Sequence, residues 1–104
     1  MNCYNFKKTK KRFLGKNYTF YVADTPKKRN IGFSGIEKPA GKVGIIFIYE
    51  DEKIRTFTMK NTKFPLHIYF FDKSWNLVHQ QLLKAKSGLI SSKKPAYYVV
   101  EIPA

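Results

Sequence analysis

The sequence predicts a mainly β, single-domain fold of sandwich or barrel-like form with one short helix near residues 26–32. Three observations predict it. Six or seven short apolar runs are separated by turn signals. Tyr and Phe, which pack well on a pleated surface, dominate those runs, and aromatic residues make up 16% of the chain. At 104 residues there is room for one buried core and not for two. The chain divides into a basic N-terminal arm or first strand, residues 1–16, and a single β domain, residues 17–104.

The first block carries Lys7, Lys8, Lys10, Lys11, Arg12 and Lys16, with no acidic residue before Asp24. It is either a solvated arm or a strand with a cationic face, and Phe6, Phe13 and Leu14 allow part of it to dock. Asn17 to Ala23 sets Tyr18, Phe20 and Val22 against Thr19, Tyr21 and Ala23, the alternation of a half-buried strand. Thr25 is a good N-cap and Pro26 suits a first helical position, so a short helix starts there and stops near Gly32. Its first turn holds Lys27, Lys28 and Arg29, the wrong sign for the positive end of a helix dipole. Either an anion sits there or the side chains bend into water.

Gly35, Pro39, Gly41 and Gly44 mark a loop leading into an apolar strand, Val43 to Tyr49. Glu50-Asp51-Glu52-Lys53 reads as a turn, from which Ile54 to Met59 pairs back as a hairpin. Three contiguous acids bring a metal site to mind, but on a turn they are ordinarily just solvated. Lys60-Asn61-Thr62-Lys63 is a tight elbow, because Asn and Thr side chains fold onto nearby backbone and Asn tolerates left-handed geometry. Pro65 then sits at a strand start or edge. Leu66 to Phe71, a hairpin loop over Asp72 to Asn76, and Leu77 to Leu83 follow. Lys84 to Pro95 is a polar connection with Leu89-Ile90 as a short strand, and Ala96 to Ile102 closes the core.

The net charge is +13, from 20 basic and 7 acidic residues, and a small domain with that surplus repels itself unless it meets an anionic partner. Nucleic acid, an anionic membrane surface and an acidic protein all qualify; lysine-rich codon usage is the bland alternative. Cys3 is the sole cysteine, so no intrachain disulfide forms and a reducing compartment is expected. No apolar run approaches the roughly 20 residues that span a bilayer. The basic N-terminus is not followed by the apolar segment of a leader, so a cytoplasmic protein is expected.

Val22-Ala23-Asp24-Thr25-Pro26 with Arg29 and Gly32, then Met59-Lys60-Asn61-Thr62, Pro65-Leu66, Phe71-Asp72, Ser91-Ser92, Pro95-Ala96 and the closing Tyr98 to Ala104 resemble the domain of unknown function 192 family. The resemblance covers about residues 18–104. It implies a compact, mainly β, jelly-roll-like domain and supplies no activity, since the family has no established one. The chain departs from the family pattern at Ser34 and Ile36, where Met and Arg usually stand, at Thr58 in place of Trp, and at His67 in place of an acid. It also stops at Ala104, where the family generally continues for a further strand.

Catalytic chemistry is thinly represented. Cys3 has no histidine near it in sequence. His67 and His79 flank the Asp72 loop, on strands that would bring them across the hairpin from each other, but two histidines make a weak metal site. Asp24, Asp72 and Glu101 are scattered rather than paired. Neither a phosphate loop nor a dinucleotide fingerprint is present, so no cofactor, no metal and no catalytic residue is expected.

The expected function is therefore non-enzymatic binding of an anionic partner, nucleic acid first and with little sequence preference. Lys7, Lys8, Lys10, Lys11, Arg12, Lys27, Lys28, Arg29, Lys60, Asn61 and Lys63 would form one positive face, and Trp75 would add stacking. Tyr4, Phe64 and Tyr97 are further candidate exposed rings. The alternatives are a small-ligand module for an anion or sugar, with a pocket lined by Arg29, Asn61 and Asp72, or an adaptor docking on an acidic protein.

Overall fold

The structure, a computed structural model, describes residues 1–104. Cys3–Asn5 forms a single 3-10 turn capped by Asn2. A hairpin of β1 (Lys8–Phe13) and β2 (Lys16–Ala23) comes next, then α1 (Pro26–Ile31), β3 (Val43–Lys53) and β4 (Thr56–Thr58). β5 (Leu66–Phe71), β6 (Leu77–Leu83), β7 (Leu89–Ser91) and β8 (Ala96–Pro103) complete the chain. Six strands make one mixed sheet in the order β1-β2-β3-β8-β5-β6, and β4 pairs with β7 in a separate two-stranded sheet.

β2 and β3 are parallel, whereas their sheet neighbours pair antiparallel. A parallel pair needs a crossover, and residues 24–42, α1 included, supply it. α1 begins where Thr25 Oγ1 accepts the Lys28 N–H at 3.2 Å, with Pro26 at the first helical position. It ends at Gly32, whose φ of +47° is open to glycine and strained for other residues.

The sheet buries both faces. On the main face Ala23, Ile45, Phe47, Leu66, Ile68, Phe70 and Val99 pack under Cys3, Phe6, Phe33, Ile36, Met59, Phe64 and Ile90. On the second face Phe20, Ile46, Val100 and Ile102 are buried among the half-buried Phe13, Tyr18, Ile48, Tyr69 and Phe71. In a flat sheet β1 and β5 would lie about 19 Å apart, four strand spacings of roughly 4.8 Å. Yet the Phe13 ring at the end of β1 lies 5.3 Å from Tyr69 and 6.1 Å from Phe71, edge-on to both. The sheet therefore curls about its second face, but β1 and β6 do not pair and no barrel closes.

Four expectations are corrected. The acidic segment is not a turn: β3 runs on through Lys53, with Glu50 paired to Arg29 and Asp51 to Arg55 and Lys53. β4 pairs with β7, not back onto β3: β3 stays on β8 through a register shift as far as Lys53, and β4 then enters the separate two-stranded sheet. Phe64 is not an exposed ring; it is buried edge-on against Phe33. His67 and His79 do not meet, since His67 sits opposite Leu82 while His79 sits opposite Phe70 and stacks on it. Alternation along β5 puts those two positions on opposite faces.

Two tests follow from the packing. A Cβ on Gly44 would stand 2.6 Å from the Phe20 ring and 2.8 Å from the Glu101 carbonyl oxygen, whereas one on Gly88 meets nothing within 4 Å. Gly44→Ala is expected to lower unfolding free energy in urea by about 1–3 kcal/mol, with Gly88→Ala close to neutral. The Cys3 thiol is fully buried and burial pushes its pKa up to about 11. Thiol reagents at pH 8 should therefore label it only as fast as the chain unfolds.

Candidate functional site

Backbone bonds fix the Lys60–Lys63 elbow from both sides. The Thr62 N–H donates to the Met59 carbonyl at 3.0 Å, the Gly35 N–H to that of Asn61 at 3.1 Å, and the Lys86 N–H to that of Thr62 at 3.0 Å. Three segments far apart in sequence thus meet: the turn after α1, the elbow, and the connection between β6 and β7. Met1, Asn30, Ile31, Ser34, Gly35, Lys60, Asn61, Lys63 and Lys86 ring an open cavity of about 730 Å³, a basic vestibule. Lys60 and Lys86 have no acidic partner, and Lys63 reaches only Glu37, at 3.6 Å.

Asn30, Ile31 and Ser34 also line a second, more enclosed chamber of about 100 Å³. Its other walls are Arg29, Gly32, Phe33, Phe47, Thr56, Phe57, Thr58, Thr62 and Glu101. Glu101 sits on β8 opposite Ile45 on β3 and Ile68 on β5, both fully buried, so its side chain leaves the sheet in the middle of the main core. It is 5% exposed. No hydrogen bond or cation offsets that burial, which pushes its pKa up to about 8. Gly32 leaves the space above it: a Cβ there would stand 3.9 Å from Glu101 Oε1. A carboxyl in this state is neutral at pH 7 and both donates and accepts hydrogen bonds.

Arg29 borders the chamber but is committed elsewhere. Its guanidinium donates to the Ile48 carbonyl at 2.8 Å, pairs with Glu50, and lies 4.6 Å from the centroid of Tyr49, over which Arg55 also lies at 3.8 Å. Burial pushes the Tyr49 pKa up to about 12.

Not all of the residues expected on one positive face share a side of the sheet. Lys60, Asn61 and Lys63 converge on the vestibule. Lys27 is exposed at the start of α1, and Lys28 turns to Asp24 at 3.5 Å and to the Phe6 ring. Lys7 leads into β1, whose Lys8, Lys10 and Arg12 alternate with Lys11. Lys11 lies 5.1 Å over Trp75, which stacks on Tyr98 at 3.9 Å. Tyr98 sits opposite Ile48 and Phe71, so this pair belongs to the second face, across the sheet from the cleft. Asp72 accepts the Ser74 and Asn76 N–H groups of its own loop, so Arg29, Asn61 and Asp72 line no common pocket.

Glu101, Thr62 and Lys86 were not picked out from the sequence. One signal was there for Glu101: a single acid inside Tyr98-Val99-Val100-Glu101-Ile102, an apolar run bound for the core. Lys86 gave none, because only the fold of the β6–β7 connection brings it to the elbow.

The family model DUF192, described as "Uncharacterized ACR", matches residues 7–104. No curated protein matches. Among solved structures, a "putative transcription regulator" from Sinorhizobium meliloti 1021 superimposes with a TM-score of 0.78 at 24% identity, covering 86% of this chain and 70% of that one. A protein of unknown function from Novosphingobium aromaticivorans DSM 12444 gives 0.77 at 19% identity, covering 93% and 72%. At these identities the likeness is one of fold. Of the positions that depart from the family pattern, Ser34 and Thr58 line the chamber, Ile36 is in the core, and His67 faces the other side of the sheet.

Glu101 makes stability depend on pH in an unusual direction. Between about pH 4.5 and 8 the folded chain keeps a proton that the unfolded chain has released. Its contribution is therefore complete below that window and lost as pH rises through it, by on the order of 5 kcal/mol. Glu101→Gln should remove this slope and be the more stable protein above pH 8. Parallel urea-unfolding curves for the two proteins across the window would show that the carboxyl is not buried and neutral.

Proposed function

The chain belongs to the DUF192 family, and from that premise we propose that it is a non-enzymatic module whose basic vestibule binds the anionic group of a small molecule. The observation that carries this reading is the convergence of Lys60, Lys63 and Lys86 with Asn61 on one cavity. Lys60 and Lys86 have no acidic partner and Lys63 has only the exposed Glu37, so like charges repel around a concave surface and an anion relieves that repulsion. A cleft also focuses the field of a chain carrying +13, which raises the local concentration of anions. The volume, about 730 Å³, is in the range of small-ligand sites.

A second reading, nucleic acid along the edge strand, has its own support. Lys10, Lys11 and Arg12 line a groove of about 450 Å³ with Asn17, Tyr18 and Thr19. It is the weaker reading, because Trp75 already stacks on Tyr98 and carries Lys11 over its ring, which leaves less of that ring for a base.

Thermal unfolding with inorganic phosphate or citrate separates the two. Ligand at tenfold over its Kd stabilises by about 1.4 kcal/mol, several degrees for a domain of this size. The rise should vanish when Lys60, Lys63 and Lys86 are all replaced by Ala and survive replacement of Lys8, Lys10 and Arg12. The reverse pattern, with single-stranded DNA retarded at about 50 mM salt and released near 200 mM, would favour the edge strand instead.

A further inference from the structure

We infer that the inner chamber takes a short, uncharged, hydroxylated carbon chain anchored on Glu101, and that the anionic end of the same molecule lies on the vestibule lysines. The ligand class is a phosphorylated short polyol, and the inference rests on the reading of the vestibule given above. Glu101 is buried and unpartnered, and it faces an empty volume bounded by hydroxyls. Its carboxyl makes no hydrogen bond to the protein, and its oxygens are not sealed in the core but open on the chamber, where a ligand or ordered solvent completes them. Thr62, 4% exposed, brings a second buried hydroxyl to the same space, and Ser34 and Thr58 bring two more.

The lining also selects against charge. Arg29 is taken up by the Ile48 carbonyl and Glu50, so no free cation awaits an anion inside. An ammonium group would need an ionised Glu101 where nothing else stabilises that charge. Phe47 and Phe57 present apolar walls suited to C–H groups. A chamber of about 100 Å³ is smaller than a cavity of about 150 Å³ that admits benzene, which limits the buried part to a chain of a few carbons. Asn30, Ile31 and Ser34 line both spaces, so the two adjoin along this wall, and it is here that one molecule would pass from the hydroxyls to the lysines.

Calorimetric titration with sn-glycerol 3-phosphate, inorganic phosphate and phosphoethanolamine tests the assignment. Wild type should bind glycerol phosphate about tenfold more tightly than phosphate, the worth of one or two added hydrogen bonds. Glu101→Leu, an apolar replacement in an apolar core, should fold, keep phosphate binding and lose the preference. Glu101→Gln should retain most of it, because an amide still donates and accepts. Equal binding of the two probes by wild type, or a preference that survives Glu101→Leu, would overturn the chamber assignment and leave the vestibule reading standing. Tighter binding of phosphoethanolamine would overturn it too, by showing that the chamber favours a cation. Binding of neither phosphate nor glycerol phosphate would remove the vestibule reading itself.

Discussion

The double pairing of β8, to β3 on one side and β5 on the other, is the constraint on which the rest of the structure depends. β8 comes last in sequence and lies inside the sheet, so the strand pairing of the unit β1-β2-β3 reaches that of β5-β6 only through it. Its side chains serve both cores: Val99 belongs to the main one, Val100 and Ile102 to the second. Contacts of such long range set in only after the intervening loops have closed, which makes the topology a slow one to fold. The same pairing fixes the site. Register puts Glu101 between two fully buried isoleucines, where its carboxyl has nowhere to go but the space beneath Gly32.

Seven acids cannot neutralise twenty bases, and rings serve beside the acids: Lys28, Arg29 and Arg55 have both an acid and a ring, while Lys11 and Lys73 have a ring alone. Arg29 and Arg55 lie over Tyr49, Lys11 over Trp75, Lys73 over Tyr97 and Lys28 over Phe6. Each such contact is worth about 0.5–1 kcal/mol at an exposed site, comparable to a surface ion pair, and needs no acid. Part of the aromatic load that reads as strand former is therefore also counter-charge. The vestibule stands out against this background: its residues include no ring for Lys60 or Lys86 to cover.

Most strands, the α1 cap and the elbow were legible because their signals are local. Thr25-Pro26 starts a helix whatever lies above it, and alternation through Tyr18 to Ala23 needs only one buried face. What failed to show was set by pairing across the chain. The acids at 50–52 look like a turn until Arg29 and Arg55 arrive to hold them on an extended β3. Phe64 beside Pro65 looks like an exposed loop ring until Phe33 closes over it. The lysines looked like one surface because spacing along the sequence says nothing about which side of a curled sheet each residue takes. A map of basic residues predicts attraction to anions in general, but only the topology shows where three of them converge.

The neutral chamber and the charged vestibule are compatible because none of the vestibule lysines lines the chamber. An exposed lysine about 4 Å from a carboxylate in bulk-like dielectric is worth only about 1 kcal/mol, and less at greater range. Ionising a buried carboxyl costs several times that. The lysines outside therefore do not draw Glu101 into its charged form, consistent with burial alone governing its pKa. An anion seated on those lysines pushes in the same direction, since it disfavours a second negative charge nearby. On the proposed reading, filling the outer space would hold the inner one neutral, and the two halves of the cleft would select for different properties: the outer for charge at long range, the inner for hydrogen-bond pattern and size at contact.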